Sequence, residues 1–217
     1  AQAYFLPDMS EHAAAPGLAR DFGWNAGARG RALFLIAVLF SAFQVVSAAF
    51  SPLSSMVVRA IHVGFLLLLT FALFPGLGPK RRPLPGVAWL AGGAGFVLAF
   101  YHWIFEGELI QRAGDPTRLD LAVGALTLVL VFEAARRVMG PALPLICAAF
   151  LAYALFGNHL PGALAHRGYA FGQVIDQLAF GTEGIYGIPT YVSSTYIFLF
   201  ILFGAFLEQA GMIKLFT

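Results

Sequence analysis

Six apolar runs, several of them about twenty residues long, take up most of this chain, with Lys and Arg gathered at their ends and in the loops between them. A helix in water is apolar along one stripe only. A helix facing lipid must be apolar on every side across roughly 30 Å of hydrocarbon, which takes about 20 residues. The runs therefore predict an all-α integral membrane protein. Composition agrees: 59% of residues are hydrophobic and 11% charged, with a mean hydropathy of +0.80, where ordinary soluble domains are roughly 25% charged. A formal net charge of +2, carried in short loop clusters, leaves no footprint for nucleic acid. The single cysteine, Cys147, lies within an apolar run and excludes both a disulfide framework and a cysteine metal cluster.

The runs predict transmembrane helices over residues 32–50, 57–74, 87–105, 119–138, 141–156 and 189–208. Pro141 and Pro189 mark the last two starts, because a first helical turn has no use for the proline's missing donor. The first four make two hairpins, the first turning at Ser51-Pro52-Leu53-Ser54-Ser55 and the second at a mixed-charge loop carrying Glu106, Glu108, Arg112, Asp115 and Arg118. Between the last two spans, Phe171, Val174, Ile175 and Leu178 stand opposite Gln173, Asp176 and Gln177, an amphipathic helix over about 170–180. Its apolar face suits either shallow burial among headgroups or docking on neighbouring spans. If every run crosses, Arg29, Arg31, Lys80-Arg81-Arg82, Arg136 and Arg137 share one side, which the positive-inside rule makes cytoplasmic. Residues 1–30 are then a cytoplasmic arm. Arg59 and Arg167 fall on the opposite side, and Arg59 is expected to reach the interface or pair with Glu106 or Glu108. The chain starts Ala1-Gln2-Ala3 without a methionine or a secretory signal, and ends just past a span, so a trimmed or truncated polypeptide is expected.

Few polar groups interrupt the runs. Glu133 stands three and four residues before Arg136 and Arg137, which suits an ion pair along one helix; a proton relay or ion site is the sharper alternative. His62 and His102 come to the outer half of adjacent spans, where two imidazoles could hold a haem, although Tyr101-His102-Trp103 reads equally as an interfacial aromatic belt. Ala88, Gly92, Gly95 and Ala99 make a small-residue face for close helix approach. Gly181, Gly184 and Gly187, three apart and followed by Pro189, form no dinucleotide fingerprint. They suit a flexible turn into the last span, or a non-helical backbone lining a polar crevice.

In Leu130-Val131-Phe132-Glu133-Ala134-Ala135-Arg136-Arg137, Tyr153-Ala154-Leu155-Phe156-Gly157, Leu160-Pro161-Gly162, Glu183-Gly184-Ile185-Tyr186-Gly187-Ile188-Pro189 and the run from Phe200 to Glu208, the chain resembles the N-terminal part of a fused TRAP (tripartite ATP-independent periplasmic) transporter permease. The resemblance implies a four-helix Q-like region over 31–139 and the beginning of an M-like region over 140–217. It also implies a bacterial inner-membrane location, a partnership with the remaining M region and a periplasmic substrate-binding protein, and sodium-coupled movement of organic acids. The later M region, which carries the family's substrate and sodium turns, has no counterpart here, so no transport-site residue is carried over. The expectation is a scaffold and not an enzyme, with no cofactor of its own. The alternative is an accessory subunit of a larger photosynthetic or respiratory membrane complex.

The topology predicts that cysteines introduced at Asp115 and His159 react with an impermeant thiol reagent added outside; labelling only from the cytoplasmic face would reverse the orientation.

Overall fold

The computed structural model describes residues 27–74 and 85–212. Its helices are α1 (Gly27–Phe50), α2 (Ser55–Leu73), α3 (Pro85–Ile104), α4 (Glu106–Gln111), α5 (Arg118–Met139), α6 (Ala142–Phe156), α7 (Phe171–Ala179), α8 (Ile188–Val192) and α9 (Phe198–Gln209). A π-helical turn, Ser193–Ile197, joins α8 to α9, so that the last span is continuous over Ile188–Gln209. No strand occurs among the described residues. The chain divides into two units, Ala1–Leu39 and Phe40–Thr217. Of the first, the described part is the opening of α1; the second holds all the packing below. The cytoplasmic arm before residue 27 and the Lys80-Arg81-Arg82 cluster lie outside the described residues.

Among the described residues, five helices are long and apolar enough to cross a membrane: Gly27–Phe50, Ser55–Leu73, Gly86–Ile104, Ala142–His159 and Ile188–Gln209. Six were expected. The difference is α5, whose 22 residues would reach about 33 Å but carry Asp120, Glu133, Arg136 and Arg137 at their two ends. The mixed-charge loop is not fully irregular either, since Glu106 to Gln111 form α4.

Helix α2 is the centre of the second unit. Ser54 caps its start, the hydroxyl accepting from Val57 N at 3.2 Å, and more of it is buried than of any other candidate span. It meets α3 through small residues on both sides. A Cβ on Gly92 would lie 3.1 Å from the Leu68 backbone, one on Gly95 2.8 Å from Leu67, and one on Gly64 2.6 Å from Ala99. The small-residue face foreseen on α3 is thus the surface that α2 occupies. Leu67 and Phe71 of α2 then close a core with Leu130 of α5, flanked by Val63, Leu98, Val131 and Ala134.

Charged groups fasten both ends of this packing. At one end, Glu133 accepts from Arg136 Nε at 2.7 Å and from its Nη2 at 2.8 Å, and from Arg137 Nε at 2.7 Å. Arg137 goes further: its Nη1 donates to the Phe74 carbonyl at the end of α2 at 2.7 Å, and its guanidinium lies 4.5 Å from the centre of the Phe71 ring. The pair foreseen along one helix therefore also ties α5 to α2. At the other end Thr117 and Asp120 form a capping box that starts α5. The buried Asp120 carboxylate accepts from Thr117 N (2.8 Å), Thr117 Oγ1 (2.7 Å), Tyr101 of α3 (2.5 Å) and Arg112 Nη2 (3.0 Å).

Past α5, Gly140 at φ +81° ends the helix in a conformation that side chains resist, and the chain reverses into α6. The amphipathic helix forms as α7, and its apolar face docks on α5: a Cβ on Gly124 would lie 2.6 Å from Ile175 and 3.1 Å from Ala179. Of the two placements open from sequence, docking on a neighbouring helix is the one observed.

Asp120→Ala is expected to lower stability by about 2–4 kcal/mol, because Tyr101, Thr117 and Arg112 lose their common acceptor. Thermal unfolding in detergent checks this, and Asp120→Asn, which keeps an acceptor oxygen, should lose less.

Candidate functional site: a buried polar junction

The polar groups that the hydrocarbon runs cannot hide converge where the end of α1, α2 and the last span meet, all within the second unit. Gln44, in α1, is buried, and its amide nitrogen lies 2.6 Å from the Ser194 carbonyl and 3.0 Å from His62 Nδ1. A carbonyl only accepts, so the atom facing Ser194 is the NH2 group. Its second hydrogen points to His62 Nδ1, which must be bare, and the imidazole proton sits on Nε2, 3.2 Å from Ser193 Oγ. The tautomer thus follows from the neighbours. Phe40 and Phe198 cover the ring at centroid distances of 5.2 and 6.2 Å.

The carbonyl of Ser194 is offered by the π-helical turn. The Phe198 N–H bonds Ser193 O, five residues back, and the wider turn displaces the carbonyl ladder just where Gln44 arrives. Sequence favours the distortion, since Ser193, Ser194 and Thr195 are consecutive, and Ser194 Oγ (3.0 Å) and Thr195 Oγ1 (2.7 Å) both donate back to the Tyr191 carbonyl.

Beside this junction lies Arg59 of α2. The expected pairing with Glu106 or Glu108 does not form. Instead Nη1 donates to the Tyr186 carbonyl at 2.7 Å, Nε and Nη2 donate to Ser55 Oγ at 3.2 and 2.9 Å, and the guanidinium lies 4.8 Å from the Tyr191 ring centre. Glu108 bonds Arg112 at 2.8 Å, which sequence spacing of i,i+4 on α4 favours.

The glycine segment that supplies the Tyr186 carbonyl is a packed connection. Ile185 N donates to Leu178 O at 2.8 Å, Gly187 N to Gly184 O at 3.0 Å, and Thr190 Oγ1 to Ile185 O at 2.5 Å. A Cβ on Gly184 would stand 2.2 Å from Leu178 O and one on Gly181 2.7 Å from Gln177 O, so these glycines serve backbone contact. Pro189 falls in the first turn of α8. Tyr186 itself is 1% exposed, and burial pushes its phenol above the usual range. It meets His102 edge to face at 4.6 Å, while Phe180 stacks on the same imidazole at 5.2 Å.

His62 and His102 do not come together as a ligand pair. His102 Nε2 lies 3.0 Å from the Ala179 carbonyl, to which it donates, and both nitrogens of His62 are engaged. A shared haem would have to displace these bonds. Gln44 Oε1, Ser47 Oγ and His102 Nδ1 are buried without a protein partner among the described residues, which also contain no group of three or more His, Cys, Asp or Glu able to hold a metal. Glu133, Arg136 and Arg137 lie far along α5 from this junction, at the fastening described above; Gly181, Gly184, Gly187 and Pro189 adjoin it.

Comparison of the chain with protein-family models, curated proteins and solved structures finds no match. Function has to come from the geometry. Chemically, the junction is a set of neutral hydrogen bonds that joins three helices, with one arginine satisfied by carbonyl, hydroxyl and ring. Sequence reading passed over Gln44 and Asp120. The signals were present: one amide in an otherwise apolar run, and Thr117-Arg118-Leu119-Asp120 in capping-box spacing.

Gln44→Leu leaves the Ser194 carbonyl and His62 Nδ1 without their donor and is expected to cost about 1–2 kcal/mol, within the range for polar contacts between membrane helices. Thermal unfolding in detergent measures it, and Gln44→Glu should not restore the loss, since a carboxylate lacks both donors.

Proposed function

We propose that this chain is the membrane scaffold portion of a TRAP-type secondary transporter for small organic anions, set in a bacterial inner membrane with a cytoplasmic N-terminus. In this reading α1, α2, α3 and α5 form the Q-like support, and α6 to α9 open the M-like part. α5 crosses beside the five apolar helices, and α7 lies at the outer interface. The role is bracing, without catalysis.

The observation that carries the reading is the uneven packing of the spans. Helix α2 is largely enclosed, whereas Ala142–His159 and Ile188–Gln209 have almost no buried residues. Phe200, Ile201, Phe203 and Phe206 of the last span are all exposed. A closely packed hairpin core flanked by two uncovered apolar spans suits a support on which further membrane helices pack. The polar side chains described above are spent on joining helices, which agrees with bracing in preference to turnover.

Detection of the polypeptide in its native membrane, with sodium-dependent organic-acid uptake measured before and after deletion of its gene, tests the proposal. The expected result is a species well above 23.3 kDa and loss of uptake. A species near that mass that copurifies at fixed stoichiometry with a photosynthetic or respiratory complex, with uptake unchanged, would sink it in favour of an accessory subunit.

A further inference from the structure

Between α5, α6 and α7 lies a cavity of about 870 Å³. The volume falls in the range of about 300–1,000 Å³ that ligand pockets occupy. Its polar lining is Arg167, Tyr169, Gln173, Asp176 and Gln177, beside Val174 and Leu178 of α7; Leu128, Phe132, Phe150 and Leu151 make an apolar wall. The register between the helices gives the direction. α7 packs at Gly124 of α5, and Phe132 is eight residues farther along that helix, or about 12 Å deeper. On the α6 side, Tyr169 N donates to the Ala154 carbonyl at 3.0 Å, which brings the Arg167 segment level with the end of α6 that adjoins α7.

We propose that this cavity holds a membrane phospholipid with a zwitterionic headgroup, its phosphate beside Arg167, its ammonium facing Asp176, and an acyl chain along Leu128, Phe132, Phe150 and Leu151. Three observations select this occupant. First, Arg167 has no carboxylate partner among the described residues, and its guanidinium is held 5.0 Å from the centre of the Tyr169 ring, with donors left for a phosphate. Second, Asp176 lines the same mouth without bonding Arg167; its Oδ2 accepts from Gly114 N at 3.0 Å. One fixed cation and one fixed anion match a dipolar headgroup, whereas an anionic headgroup would set its charge against Asp176. Third, the apolar wall has no use for a small soluble anion, and an apolar helix seated there would bury Arg167 and Asp176 without compensation.

The test is native mass spectrometry of the chain released from a mild detergent after purification from its own membrane. The expected result is a retained phosphatidylethanolamine, enriched over its share in the bulk lipid extract. Arg167→Ala should reduce retention about tenfold, the effect of losing one charge-assisted contact, and Ala154→Phe, which fills the cavity, should do the same. Cys147 lines the wall and is exposed, so its alkylation by a membrane-permeant maleimide should be faster in Arg167→Ala than in the parent chain. Retained lipid that mirrors the bulk mixture, preferential retention of phosphatidylglycerol, or retention and Cys147 reactivity unchanged in Arg167→Ala would each overturn the proposal. Because Arg167 is exposed at the mouth and supports no helix contact, its variant reads the site even if Ala154→Phe fails to fold. Transport plays no part in these readouts, so the lipid site can fail or stand independently of the scaffold function.

Discussion

Helix α2 can be the buried centre of this protein only because α3 lets it come close. In hydrocarbon, lipid tails solvate a leucine as well as another helix does, so association depends on dispersion contacts at short range. Gly64, Gly92 and Gly95 remove the side chains that would hold the two backbones apart, and Leu67, Leu68 and Phe71 enter the space. Everything else attaches to that pair. The core with Leu130 brings in α5, and α5 in turn receives α7 at Gly124.

Close packing sets distance but leaves sliding and rotation cheap, and the polar contacts remove that freedom. Arg137 reaches from α5 to the last carbonyl of α2, while Asp120, at the opposite end of α5, gathers Tyr101 and Arg112. The two fastenings are at the two ends of α5. Between them the protein uses neutral groups: Gln44, His62 and the π-helical turn of the last span. A regular α-helix would keep the Ser194 carbonyl within its own ladder, so the local distortion is what allows the last span to be joined to α1 and α2.

The remaining surfaces divide by what faces them. Uncovered phenylalanines and isoleucines on the last span meet lipid or further helices, whereas the cavity under α7 combines an apolar wall with two opposite charges. That combination is an amphiphile's outline. α7 is the element that makes it, since Ile175 and Ala179 pack on α5 while Val174, Leu178, Gln173, Asp176 and Gln177 line the cavity.

Much of this was determined by the sequence itself, because a bilayer imposes length and apolarity on any helix that crosses it. The hairpins, the starts at Pro141 and Pro189, the amphipathic period of α7 and the Glu133 pairing with Arg136 and Arg137 are all local, set by neighbours within a few residues. Partners distant along the chain were decided by the tertiary structure alone. Arg59, expected to reach the interface or pair with Glu106 or Glu108, meets the Tyr186 carbonyl, 127 positions away; Gln44 meets Ser194 at a separation of 150. No periodicity encodes such meetings, because they depend on which faces the small residues bring together. The same holds for the glycines at 181 and 184: spacing marks an unusual backbone, and only the fold reveals that what they admit is a carbonyl of α7.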